Sequence, residues 1–284
     1  MKWRGRRGSR NVIDRRGVSA GKAGGLGGVG LIAVLVIGYF LGIDVTPLLN
    51  GGGGVPVETG GERRALSEAE RASGQFVSVV LADTEEVWGA VFPEQLGRDY
   101  RPTQLVLFSD RITSGCGGAN AATGPFYCPA DSRVYLDTSF FATLQNRLGA
   151  GGDFAAAYVV AHEVGHHIQN ELGILGQVNR ARVEARGAEA NALSVRLELQ
   201  ADCLAGVWAR HAEARLGTVE PGDLQEAMNA AQQIGDDVLQ RNAGRVPMPE
   251  TFSHGSAEQR QGWFAKGYER GVVEDCDTFG TARL

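Results

Sequence analysis

Residues 23–43 (AGGLGGVGLIAVLVIGYFLGI) carry no charge, and this run of 21 constrains the chain more than any other stretch. As a helix rising about 1.5 Å per residue it would span about 30 Å, the thickness of a hydrocarbon core. Its glycines would weaken a soluble helix but are common in membrane helices. The run follows a basic head holding Lys2, Arg4, Arg6, Arg7, Arg10, Arg15, Arg16 and Lys22 against one acid, Asp14. The overall net charge of −5 averages this head with an acidic remainder. A buried soluble helix is rarely apolar on every face beside such charge. A cleaved signal peptide needs an A-x-A-like site, which residues 42–47 (GIDVTP) do not offer. One uncleaved anchor is the expectation. The positive-inside rule then makes residues 1–22 a cytoplasmic head, residues 23–43 a transmembrane helix in the lipid bilayer, and the rest extracytoplasmic.

Residues 44–61 read as a glycine-rich linker. At roughly 150 residues per domain, residues 62–284 read as one domain. Ser67 with Glu70 three residues later predicts a capping box opening a helix to about residue 88. Residues 104–109 and 133–137 predict short strands. Asp153 predicts the N-cap of a helix over 154–170, and further helices are expected over 188–216, 223–243 and 257–270. The fold class expected is α+β, mostly helical with a small β-sheet, preceded by one transmembrane helix.

The predicted 154–170 helix contains His162, Glu163, Val164, Gly165 and His166. Histidines four apart share one face, one turn apart, so both imidazoles can reach one zinc ion. Glu163 beside the first histidine is placed to take a proton from an activated water and pass it on. The chain holds five histidines, and three fall in residues 162–167. That clustering favours a zinc site over a chance match. His167 lies about 100° round the helix from His166 and reads as a packed neighbour. Small Ala161 and Gly165 suit close packing beside such a site.

A catalytic zinc needs a third protein ligand. The astacin and matrix-protease pattern would put glycine at 169 and histidine at 172; Gln169 and Leu172 exclude it. Glu198 and Asp202 are the next candidates, four apart in a largely apolar segment. Two carboxylates there are costly without a compensating cation. Glu198 is expected as third ligand and Asp202 as acceptor from a ligating histidine. The bland alternative pairs them with Arg196 or Arg182.

An H-E-x-x-H helix followed by E-x-x-A-D resembles the gluzincin metallopeptidases, whose third ligand is that glutamate. More closely, residues 2–7 (KWRGRR), 124–131 (GPFYCPAD), 162–169, 198–206, 234–237 (IGDD) and 251–260 resemble a family of bacterial neutral zinc metallopeptidases with one N-terminal membrane span. The resemblance covers nearly the whole chain. It implies a peptidase with one catalytic Zn2+ ion, a protein or peptide substrate, and a bacterial inner-membrane location with the catalytic domain periplasmic or otherwise extracytoplasmic. His254 and Arg260 keep the offset of an H-P-x-x-x-x-R segment in membrane-embedded gluzincins that process prenylated proteins, with Gly255 in place of proline. Either residue would then donate to the oxyanion. Alternatively, His254 caps the next helix and Arg260 binds a carboxylate. Tyr127, Tyr135 and Tyr158 are further candidates for the oxyanion, and His211 reads as solvated surface.

Cys116 is expected to pair with Cys128, and Cys203 with Cys276, which agrees with an oxidising compartment. A substrate strand is expected to add beside residues 133–137. An acidic body argues against nucleic acid as a partner. The rival function is a zinc-braced, membrane-tethered binding protein without activity. Glu163 argues against it, because a metal-binding relic has no need of a base beside its first ligand.

Overall fold

The computed structural model describes residues 1–17, 64–282 and 284. The expected span 23–43 and the linker 44–61 lie outside the described residues. Among the described residues no helix is long and apolar enough to cross a membrane.

The chain opens with β1 (Val12–Asp14) and continues after the undescribed segment with α1 (Glu68–Val91), β2 (Gln104–Phe108), a hairpin of β3 (Arg111–Ser114) and β4 (Gly117–Asn120), then β5 (Phe126–Cys128) and β6 (Arg133–Asp137). Helices complete the chain: α2 (Ser139–Asn146), α3 (Asp153–Glu171), α4 (Ile174–Glu184), α5 (Ala188–His211), α6 (Asp223–Gln233), α7 (Asp236–Asn242) and α8 (Ala257–Arg270). This is the α+β class expected. The Ser67–Glu70 capping box opens α1 as predicted. Gly152, not Asp153, caps α3. The helix expected over 223–243 breaks at Ile234–Gly235 into α6 and α7.

The main sheet runs β1-β2-β6-β5, with β1, β2 and β6 parallel and β5 antiparallel. The expected docking edge, residues 133–137, is therefore corrected. As β6 it is bonded along its whole length to β2 and over Arg133–Tyr135 to β5, which leaves only Leu136 and Asp137 without a strand partner on that side. The outer strand at that end is β5.

The position of β1 corrects the topology. Val12, Ile13 and Asp14 pair in register with Leu105, Val106 and Leu107 of β2. Met1 and Trp3 are buried, and the Trp3 ring meets Phe76 of α1 edge-on at 5.4 Å. The Met1 ammonium lies 2.6 Å from Asp153 and 3.1 Å from Asp223, at the first turns of α3 and α6. Arg6 is paired with Asp83, and Ser9 donates to Glu85 at 2.5 Å. Arg64 N donates to Gly17 O at 2.8 Å, so the chain leaves and rejoins the folded body at one point. A head across a bilayer from the body cannot share its sheet. Residues 1–17 are part of the folded body and do not form the separate head expected for residues 1–22.

One head contact makes a pH test. Burial pushes the Asp83 carboxyl up to about 6, although Arg6 opposes the shift. A carboxyl easier to protonate folded than unfolded gives stability that is full below about pH 4 and lost as pH rises through about 6. Unfolding measured from pH 4 to 7 should show wild type falling relative to Asp83→Asn. Parallel curves would refute the assignment.

The helical layer places the site. Fifteen residues of α3 are buried, on every face, so it runs through the core. A Cβ on Gly165 would sit 3.0 Å from Ala201 O and 3.3 Å from Ala201 Cβ, so α3 and α5 approach closely where their functional residues lie. A Cβ on Gly267 would sit 1.9 Å from Cys203 O, which presses α8 just as closely onto α5.

Candidate metal centre

Glu198, from α5, faces both histidines of α3. Its Oε2 lies 3.1 Å from His162 Nε2 and its Oε1 3.6 Å from His166 Nε2. The three ligand atoms fall within 4.8 Å of one another. Ligands at 2.0–2.1 Å in a tetrahedron stand roughly 3.3 Å apart, so the spacing fits one zinc ion.

The chemistry of the donor set fits as well. His162 Nδ1 donates to Asp202 Oδ1 at 2.8 Å, and His166 Nδ1 donates to Gln169 Oε1 at 2.8 Å. In their neutral forms both rings then turn a bare Nε2 lone pair toward a carboxylate. Burial opposes charge on both rings. Even so, Asp202 and Glu198 raise His162 to about 10, and Glu198 raises His166. Three electron-rich atoms converge on a point that calls for positive charge.

Asp202 is fully buried and supports His162 as expected, but the rest of its shell differs from expectation. Arg260 Nε donates to its Oδ2 at 2.8 Å and Arg260 Nη2 to its Oδ1 at 3.0 Å. Tyr158 OH donates to Oδ1 at 2.5 Å. Burial opposes ionisation, yet Arg260 and His162 hold Asp202 down at about 2. Arg260 is 3% exposed and committed behind the ligand. The expectation of Arg260 as an oxyanion donor is corrected: its charge fixes Asp202. The tyrosines are equally committed, Tyr158 to Asp202, Tyr135 to Asp131 and Tyr127 to His167. Arg196 turns to the carbonyls of Thr278 and Thr281, so it does not neutralise Glu198.

Glu163 is 7% exposed, and burial pushes its carboxyl above the ordinary carboxylate range against the pull of His166 and His162. His167 is the packed neighbour expected, donating from Nε2 to Arg101 O at 2.7 Å. His211 is corrected: half-buried, it binds Gly271 O at the end of α8 at 2.9 Å.

His254 does not cap α8, because Ser256 does so with Gln259 as its box partner. Asp236 clamps the turn instead. Its Oδ2 accepts from the backbone N–H of Ser253 at 2.7 Å, of His254 at 2.7 Å and of Gly255 at 3.0 Å. Its Oδ1 lies 3.3 Å from His254 Nδ1. Gly255 has φ +98°, and a Cβ there would sit 3.1 Å from Leu199 and 3.4 Å from Val195, the α5 residues flanking Glu198. Burial opposes charge on His254, while Glu198 and Asp236 raise its pKa. The turn that carries His254 is thus packed against the stretch of α5 around Glu198.

Gln169 and Asp236 were missed from sequence. Gln169 stands three residues after His166, on its face of the helix, a spacing that carried the signal. Asp236 falls in the 234–237 segment that carries the family resemblance, but nothing local ties it to His254, 18 residues on. Both expected disulfides form, Cys116–Cys128 and Cys203–Cys276.

A family model described as "Putative neutral zinc metallopeptidase" matches residues 1–279. An uncharacterized Escherichia coli (strain K12) protein, YpfJ, is 47% identical over 293 residues, covering 99% of each chain. An uncharacterized Mycobacterium tuberculosis protein, Rv2575, is 45% identical over 210 residues, covering 70% of this chain and 68% of its own. No solved structure matches.

Proposed function

The chain belongs to the neutral zinc metallopeptidase family, and we propose that it hydrolyses peptide bonds with Glu163 as general base. The observation that carries this reading is a buried, proton-hungry carboxylate set next to three converging ligand atoms. His162, His166 and Glu198 would hold the zinc. Bound there, zinc polarises a scissile carbonyl and lowers the pKa of water.

The remaining work falls to side chains. Glu163 accepts the proton of the attacking water and delivers it to the leaving amine nitrogen. Asp202 and Gln169 keep both imidazoles in the Nδ1–H form, so that Nε2 stays available. His254, held by Asp236, donates to the oxygen that becomes negative as the carbonyl turns tetrahedral. An extended substrate has an outer strand to pair with at β5. The test is zinc analysis of the purified full chain together with cleavage of unfolded proteins. A zinc-loaded chain that cleaves none would overturn the reading.

The proposal extends to location. The uncharged run 23–43 attaches the protein to a membrane, with residues 1–17 and 64–284 on one side of it. The β1–β2 pairing and the Gly17–Arg64 hydrogen bond support a single compartment, and the two disulfides support an oxidising one. Among the described residues no cysteine is free. Lys2→Cys and Glu269→Cys, both at exposed positions, should therefore react with an impermeant maleimide from the same side of spheroplasts. Labelling of Glu269→Cys alone in intact cells would refute one-sided attachment.

A further inference from the structure

The Cys203–Cys276 disulfide starts one residue beyond Asp202 on α5, yet neither cysteine belongs to the ligand cluster. A directed line of amides joins it to the metal site. The carbonyl of Cys276 accepts from Gln200 Nε2 at 3.0 Å. Gln200 Oε1 accepts from Gln169 Nε2 at 3.1 Å, and Gln169 Oε1 accepts from His166 Nδ1.

A backbone carbonyl only accepts, so Cys276 O sets the sense of the Gln200 amide, and a second carbonyl, Leu197 O, sets that of Gln169. Turning over either amide would set N–H against N–H, or oxygen against oxygen. Leu197 O, accepting from Gln169 Nε2 at 2.6 Å, holds the same sense. The outcome at the far end is a His166 protonated on Nδ1, with its Nε2 lone pair toward Glu198. Gln169 is fully buried, so water does not substitute for a broken link on its side of the line. An open cavity of about 500 Å³, lined by Gln95, Leu172, Gln200, Leu204, Val273 and Cys276, reaches the anchored end.

We propose that Gln169 and Gln200 are positioning residues through which the Cys203–Cys276 disulfide sets the grip of His166 on zinc, so that reducing this disulfide loosens the metal. The inference rests on the zinc reading above. A dithiol reductant supplies two electrons and two protons. The S–S bond breaks, both cysteines become thiols, and the dithiol closes into its own disulfide. Cys276 then loses its covalent tie to α5, and the end of the amide line is held only by hydrogen bonds such as those between Arg196 and Thr278. The Cys116–Cys128 bridge has no such connection, and its loss leaves the metal in place.

The test is zinc release from the full chain to a chromogenic chelator. Cys203→Ser/Cys276→Ser and Gln200→Leu should each release zinc about 10-fold faster or more, while Cys116→Ser/Cys128→Ser should match wild type. Adding Gln200→Leu to the Cys203/Cys276 pair should change little further, because both act on one line. Gln200→Leu keeps both disulfides, so the test survives a cysteine variant that fails to fold. Its His166 should lose the single Nδ1–H form in long-range ¹H–¹⁵N spectra. Wild-type release by Gln200→Leu, an unchanged His166 tautomer, or effects that multiply in the combined variant would overturn the proposal. A wild-type chain that binds no zinc would instead overturn the metal reading on which it rests.

Discussion

Replacing Glu163 by Gln is expected to leave zinc bound and to lower peptide hydrolysis by at least about 100-fold, the scale of a lost general base. Glutamine matches glutamate in shape and fills the same buried space beside the histidines. It cannot accept a proton from water, and it has none to hand to the leaving amine. Glu163 is outside the converging cluster of His162, His166 and Glu198, so metal content should stay near wild type. Burial raises the carboxyl, which brings its basicity nearer to neutrality, where a base works best. Zinc content and kcat measured on one preparation give the check. A variant with full zinc and an unchanged rate would remove Glu163 from the mechanism. Loss of zinc and rate together would make it a structural residue.

Glu198→Ala should lose zinc itself. The substitution removes both oxygens that face the histidine Nε2 atoms at 3.1 and 3.6 Å and leaves two imidazoles as the whole donor set. Affinity should fall by more than about 100-fold, beyond the 10–100-fold typical of partners that only orient ligands. Asp202→Asn belongs to that smaller class, since it weakens the support of His162 Nδ1 but removes no ligand. Competition against a chelator of known affinity would rank the two. Full occupancy in Glu198→Ala would sink its assignment as third ligand, and an Asp202→Asn effect as large would show that the two roles cannot be separated.

The parts of the site legible in sequence are those written at helical spacing. His162 and His166 are four apart, Glu198 and Asp202 are four apart, and each pair lies on one helix. Ser67 and Glu70 announced their helix for the same reason. Contacts between distant segments left no comparable trace. The three residues of β1 have no neighbours in sequence that reveal β2 some 90 positions on, and the charges around them invited a different explanation. Arg260 looked available for substrate because nothing nearby in sequence claims it. Its partner, Asp202, stands 58 residues away. Separation in sequence, here 18 residues, also hid the Asp236 clamp on His254, and residues 133–137 gave no sign of being flanked on both sides. Local periodicity picked out the side chains that converge, while long-range packing decided which charges are free to act.

The meeting of Gly17 and Arg64 has a practical consequence. Because the two residues are already in hydrogen-bond contact, the 46 residues between them in sequence form an insertion whose ends the body holds together. Excising residues 18–63 and closing the gap with a short glycine bridge would take away no described contact. The spliced protein would retain β1, the buried Trp3 and the zinc site, and it would shed its most apolar stretch. That makes it a candidate for purification without detergent, and for growing the crystals that would test the site for zinc.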